Sequence, residues 1–464
     1  MNRMGWFFGL GLILWAVSSS FSQPNVDKDA FFLKAIHDQI LRDGVCYDWL
    51  YHLSENIGAR LSGSDNYNRA ADYVHQELES LGADRVYRQT CEVDYWERGK
   101  ICSVEITDHL GVRRPLRSVA LGGSVGTPQN GIMAEVIEVK SLDEVERLGE
   151  KEVAGKIVFY NRPMDPTLIN TFMAYGGAVD QRAFGSVRAA QFGGVAALVR
   201  SMTTQIDDVP HTGTMIYREG IDKIPGIAIS TRDANTLSEA LQKGWVTAEI
   251  KADSKPAGKR LSDNVIAEIR GSEFPDQIIL VGGHLDSWDL GEGAHDDGAG
   301  CVHAMQVLHT FKALNYIPKR TIRVVLFANE ENGLAGGNEY ARISNENEEF
   351  HLAAIESDAG GFTPRSFSMD GHPEVLEKYM RSVNSWLPLL EPYGITLNKG
   401  GSGADINPLK NQKGLLMGLR PDSQRYFDYH HTAIDSIDKV NERELKLGAA
   451  AMTAMVYLLD QYGL

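Results

Sequence analysis

Apolar positions in this chain change their rhythm twice. Over residues 30–57 they recur at helical spacing, with Phe32, Ile36 and Ile40 followed by Tyr47, Leu50 and Leu53. A polar loop leads to a second amphipathic stretch over residues 67–81, closed by Gly82, a residue suited to ending a helix. Alternation of apolar and polar positions from Val86 to about Ile106 then predicts strands.

From residue 110 to 257 the texture is different. Short pieces such as Gly155-Lys-Ile-Val-Phe-Tyr160 and Ile224-Pro-Gly-Ile-Ala-Ile-Ser230 are bounded by Gly and Pro, with one helix-like segment at 186–192. No cluster of ligand-type side chains stands out there, so the region reads as an inserted β-rich domain. After Leu261 the pattern alternates strand and helix. Strand-like runs at 265–269, 277–281, 321–327, 352–355, 395–397 and 415–418 are separated by helical periods at 300–314, 334–343, 373–384 and 442–462. The fold class expected is α/β, a mostly parallel mixed sheet sandwiched by helices. A chain of 464 residues exceeds one hydrophobic core. The expected organisation is a main domain in two parts, residues 23–109 and 258–464, around an insert at 110–257.

Charge and leader narrow the classes further. A formal net charge of −16 disfavours nucleic acid and anionic membranes as partners. Residues 1–22 read as a signal peptide: Arg3, an apolar run over 5–17, then small residues before Gln23. That run is too short to span a bilayer comfortably, which argues against a membrane anchor after cleavage and for a secreted or periplasmic protein. Four cysteines in an exported chain permit disulfides, and Cys91 with Cys102 is the best candidate pair; Cys301 reads as a buried apolar residue.

Candidate chemistry gathers where the apolar strands stop. His284 and Asp286 lie two apart at a strand end, so both side chains can point one way, and Asp286 can fix the tautomer of His284 for metal binding. Asp296 and Asp297 precede a helix; one can cap it, which leaves the other with an unpaired charge unless a cation is present. Glu330 and Glu331 close the run Val324-Val-Leu-Phe-Ala328, where strand neighbours diverge and can hold separate jobs. Asp358 follows another strand, and His430 and His431 adjoin before Thr432. Each alone has an ordinary structural reading, as a cap, a solvated loop or a hydrogen-bonded histidine. Together, two imidazoles and three carboxylates form a nitrogen and oxygen set suited to zinc.

In order and spacing, His284-Leu-Asp-Ser, Asp296-Asp-Gly, Glu330-Glu-x-Gly-Leu, Ser357-Asp-Ala-Gly and His431-Thr-x-x-Asp435 resemble the motifs of the co-catalytic di-zinc exopeptidases. That family includes bacterial leucyl aminopeptidases, glutamate carboxypeptidase and glutaminyl cyclase. Pro210-His-Thr-Gly213, Lys223-Ile-Pro and Gly403-Ala-Asp-Ile406 place the closest likeness with the carboxypeptidase branch, over nearly all of the chain after the leader. The resemblance implies two zinc ions per chain. Asp296 would bridge them, His284 and Asp358 would complete one site, and Glu331 and His431 the other. It implies Glu330 as general base, Asp286 as the partner of His284, and an insert of the protease-associated type that shapes access or dimerisation.

The function implied is a zinc-dependent exopeptidase acting on dipeptides or short peptides, as a homodimer. An aminopeptidase of the same family is the alternative. A glutaminyl cyclase-like acyltransferase or a non-catalytic receptor-like homologue is less favoured, because this chain keeps every ligand and the base. Asp405, Arg420 and Tyr426 are further pocket candidates, for each of which the structural reading is favoured.

Overall fold

The structure is a computed structural model that describes residues 26–464; the leader expected over 1–22 lies outside the described residues. Two eight-stranded sheets organise the chain. The first contains β1 (Arg85–Glu97), β2 (Lys255–Ile269), β3 (Phe274–His284), β4 (Arg320–Phe327), β5 (Phe350–Glu356), β6 (Pro364–Gly371), β7 (Thr396–Lys399) and β8 (Leu415–Pro421). Their spatial order is β1-β2-β4-β3-β5-β8-β6-β7. The central strands β4, β3, β5 and β8 run parallel, β1 and β2 join their neighbours antiparallel, and β6 runs antiparallel to β8 and parallel to β7.

A parallel centre needs cover on both faces, and the sequence supplies it. Successive residues of β3 and β4 alternate between two cores. Ile279, Val281, Ile322 and Val324 enter the core beneath helices Val26–Asp43, Ala299–Ala313 and Glu442–Tyr462. Leu280, Val325 and Phe327 enter the opposite core with Tyr340 and Leu416. Burying each such aliphatic side chain contributes about 1.5–3 kcal/mol, which explains the apolar run Val324–Phe327 of β4, a strand buried at every position, its Arg320, Thr321 and Arg323 included. Helix Pro373–Asn384 starts on Pro at its first turn, where the missing N–H is no loss. Strand β6 was not foreseen: Pro364, Asp370 and Gly371 punctuate it, and these residue types read as turn rather than strand.

The second sheet lies within residues 102–252. Strands Ile132–Val139, Ile157–Tyr160, Ala196–Arg200 and Gly226–Ile229 form its parallel centre. Helices Leu142–Val153, Asp180–Gln191 and Thr231–Lys243 accompany them, so the expected β-rich insert carries a full helical complement. Cys91 and Cys102 are not bridged; all four cysteines are free thiols. Cys91 pairs with Ser262 in the first sheet and Cys102 with Ala252 in the second, so the two candidate partners lie on strands of different sheets. Among the described residues no helix is long and apolar enough to cross a membrane.

Candidate metal centre

Parallel register brings the strand ends level. His284 closes β3 opposite Phe327 of β4, and Gly282 pairs with Glu356 of β5. Glu330 and Glu331 therefore leave β4, and Asp358 leaves β5, on the same rim as His284. This is the crevice beyond the carboxyl ends of the strands where open α/β sheets bind ligands. Asp296 comes from the loop before helix Ala299–Ala313, and His431 from the loop after the short helix Tyr426–Tyr429.

The structure brings all five together around Asp296. Its Oδ1 lies 3.3 Å from His284 Nε2 and its Oδ2 lies 3.2 Å from His431 Nε2. Asp358 Oδ1 stands 3.7 Å from His284 Nε2, and Glu331 Oε2 stands 3.0 Å from His431 Nε2. Two sets of potential ligand atoms, each within 4.8 Å, share Asp296: His284–Asp296–Asp358 and Asp296–His430–His431. His430 is the weaker partner of the second set, with Nε2 3.7 Å from Asp296 Oδ2 and its ring stacked on His431 at 3.5 Å.

The donor atoms fit a cation. Asp296 Oδ2 and Glu331 Oε1 are buried with no hydrogen-bond donor. Buried carboxylates without donors are costly unless a positive charge stands beside them. Nitrogen and oxygen ligands in this mixture suit zinc. The titrating groups show the same tension. Burial pushes Glu331 up to about 7, and Glu330 rises well above the carboxylate range because burial outweighs His284 and the neighbouring acids add to it. Burial alone would lower His431, but Glu331 and Asp296 hold it up at about 10.

Surrounding groups fix the ligands. Asp297 accepts from Gly300 N at 2.9 Å and from His284 N at 3.1 Å, so of the two adjacent acids Asp297 caps the helix and Asp296 faces the site. Asp435 accepts from His295 N and Asp296 N at 2.8 and 3.1 Å. His284 Nδ1 meets the main-chain oxygen of Asp286 at 3.0 Å, whereas the Asp286 carboxylate is 3.7 Å away and accepts from Glu330 N at 3.1 Å. Asp286 thus orients His284 through its backbone and the glutamate loop through its side chain. Asn329, Leu334 and His431 all adopt positive φ without being Gly, a costly conformation that surrounding structure must hold.

The insert, which shows no cluster of ligand-type side chains in sequence, reaches into this centre. Thr214 Oγ1 donates to Glu331 O at 2.6 Å, Thr212 N to His431 O at 2.9 Å, and His211 Nδ1 meets His430 O at 2.9 Å. A cavity of about 510 Å³ opens over Asp296, Glu330 and Asp358, walled by Phe172, Arg182 and Tyr426. Phe172 also borders a neighbouring cavity of about 630 Å³ beside Ala359 and Arg420. Asp405 and Glu356 lie buried nearby; Glu356 accepts from Ala404 N and Ile406 N, while neither Asp405 oxygen has a donor. Sequence singled out neither Glu356 nor Arg182; a carboxylate inside an apolar strand was the available signal for the first.

Comparisons with known proteins agree with this geometry. The sequence profile described as peptidase family M28 matches residues 264–456. Carboxypeptidase Q of Bos taurus is 35% identical over 415 residues, covering 89% of this chain and 84% of that protein. Carboxypeptidase Q of Homo sapiens is 35% identical over 416 residues with the same coverage of each. Among solved structures, a peptidase M28 precursor from Shewanella amazonensis SB2B superposes with a TM-score of 0.87 at 34% identity, covering 94% of this chain and 97% of that one. An aminopeptidase from Aneurinibacillus sp. strain AM-1 shares the fold at a TM-score of 0.63 and 20% identity, over 93% of this chain and 96% of its own. The chain belongs to peptidase family M28 and is a hydrolase of the metallo-exopeptidase type.

Proposed function

We propose that this protein is an exported, zinc-dependent exopeptidase that hydrolyses dipeptides or short peptides at a two-metal centre. One observation carries the reading: the two oxygens of Asp296 face different histidines, His284 and His431, each of which has its own second carboxylate. His284, Asp358 and Asp296 would hold one ion, and His431, Glu331 and Asp296 the other. When bound, such ions polarise a scissile carbonyl and acidify a water.

The protein's own residues do the rest. Glu330 lines the cavity without being needed as a ligand, and its carboxylate takes a proton from water and returns it to the leaving amine. Its main-chain N–H is held by Asp286, so the base has a fixed origin. The insert closes the far wall with Phe172 and Tyr175 and narrows the approach to chain ends. Likeness to carboxypeptidase Q supports a carboxypeptidase or dipeptidase preference.

The test is a panel of free dipeptides and end-blocked peptides, run on purified protein before and after chelation, with metal content measured alongside. Expected is cleavage of free-ended peptides, two zinc equivalents per chain, and loss of activity on stripping that zinc restores. Full activity in metal-free protein would overturn the reading.

A further inference from the structure

Two buried tryptophans of this chain spend their N–H groups on the protein. Trp49 donates to Glu77 at 2.9 Å and Trp96 to Ser124 O at 2.8 Å. Trp288, in the loop after β3 and only 3% exposed, does not: its Nε1 is buried with no acceptor among the described residues. An indole N–H can only donate, and leaving one unmade in the interior is costly. The ring is not free to turn toward a partner. It stands edge-on to Trp96, with ring centres 6.2 Å apart, and lies 5.9 Å from the His431 ring. Its far edge fills the space over Gly122 of the insert, where even a Cβ would come within 1.8 Å of it.

A spare acceptor borders the same small space. Trp288, Asp296, Glu331 and His431 line a cavity of about 10 Å³, the room that one water needs. Glu331 approaches His431 Nε2 through Oε2, which leaves its Oε1 over, buried and without a donor. Asp296, whose Oδ2 also has no donor, belongs to the same lining. One group that only donates and two that only accept, set around a water-sized space, have a simple complement: a molecule that accepts once and donates twice. We infer that a single water seated there accepts from Trp288 Nε1 and donates to Glu331 Oε1, which makes Trp288 a positioning residue for Glu331. The link holds Oε1 back, so that Oε2 alone is offered on the His431 side. Partners of this kind, one step behind a ligand, set its orientation and with it the affinity of the ion it holds.

This inference rests on the metal centre of the proposed peptidase, so its test separates the two. Zinc affinity is measured on full-length protein in two backgrounds, Asp358→Ala, which cripples the His284 side, and Glu331→Ala, which cripples the His431 side. In the first, Trp288→Phe should weaken the remaining ion by about 10- to 100-fold; in the second it should change nothing. Trp288→β-(3-benzothienyl)alanine keeps the double ring and replaces the N–H by sulfur, so it should reproduce the loss even where the smaller Phe disturbs packing. A loss that is alike on both sides, or no loss on the His431 side, overturns the assignment. A second measurement uses no metal. In metal-free protein with labelled indoles, the Trp288 N–H resonance, identified by its absence in Trp288→Phe, should show a cross-peak to a bound water and should move on Glu331→Gln. Failure of either overturns the link. If the native chain binds no zinc while both are seen, the metal centre falls and the link between Trp288 and Glu331 stands.

Discussion

The main sheet and the insert sheet each run four neighbouring strands in parallel at their centre and flank them with antiparallel strands. Both therefore offer a crevice beyond the carboxyl ends of those strands. Among the described residues of the insert, no buried carboxylate oxygen is left without a donor. Arg200, ending one strand, donates to Asn161 beyond the next and to Asn235. Ser141 and Ser230 cap the helices that follow their strands. In the main sheet the equivalent rim carries His284, Glu331, Asp358 and Asp296, and two of its buried carboxylate oxygens have no donor at all. One plan yields a closed edge in one copy and an ion-seeking edge in the other. Fold supplies the crevice; the side chains left unsatisfied make it a site.

The largest expected effect follows from removing the residue both ion positions share. Asp296→Ala should drop metal content toward zero and abolish turnover, whereas Asn161→Ala at the insert edge should leave metal content unaltered. Mass spectrometry of the two purified variants checks both halves. Two retained ions in Asp296→Ala would erase the contrast between the edges. Glu330→Gln comes next. It keeps the ligand set, so zinc should stay bound while turnover falls by about 10²- to 10⁴-fold. Normal turnover in that variant would mean the proton is carried by another group.

Much of this edge is legible before any folding is known. Val324 to Ala328 form an apolar run that stops at two glutamates, and a buried strand that ends in acids is unusual enough to mark Glu330 and Glu331. Helices Pro373–Asn384 and Glu442–Tyr462 follow from apolar spacing between clear start signals, Pro373 in one and the capping Asn441 in the other. The choice between His430 and His431 is different. The residues themselves leave it open; the resemblance selects His431, and the tertiary arrangement puts its Nε2 between Asp296 and Glu331. The insert's share in the site was hidden for a related reason. Thr212, His211 and Thr214 act on main-chain atoms of distant loops, and Arg182 is a single arginine on an amphipathic helix. Arg182 leaves no periodic or motif-like trace, and Pro210-His-Thr-Gly213 marks a resemblance without showing which loops it touches, because long-range pairing is not encoded by local pattern. Cys91 and Cys102 fail in the opposite direction: close in sequence, they are separated because the chain changes sheets between them.

The smallest effect sharpens the comparison most, because it sets one hydroxyl against another. Thr214 Oγ1 donates to the carbonyl of Glu331, and Ser230 Oγ accepts from Asp233 N at the start of helix Thr231–Lys243. Each hydroxyl bonds at the end of a strand or loop, with Ser230 Oγ also donating to Asp233 Oδ2, and removing either should cost about 1 kcal/mol. The loss should surface in different places. Thr214→Val leaves the Glu331 carbonyl without its donor, so Glu331 loosens where it flanks His431; activity and zinc affinity should fall by about 5- to 10-fold with little change in thermal stability. Ser230→Ala lengthens no path to the metal ligands, so it should lower the unfolding temperature by a few degrees and leave zinc affinity where it was. Equal losses of zinc affinity in the two variants would mean the insert transmits strain to the centre as one rigid body. Unequal losses would confine its influence to the 210–214 loop, the segment that touches His430, His431 and Glu331 directly.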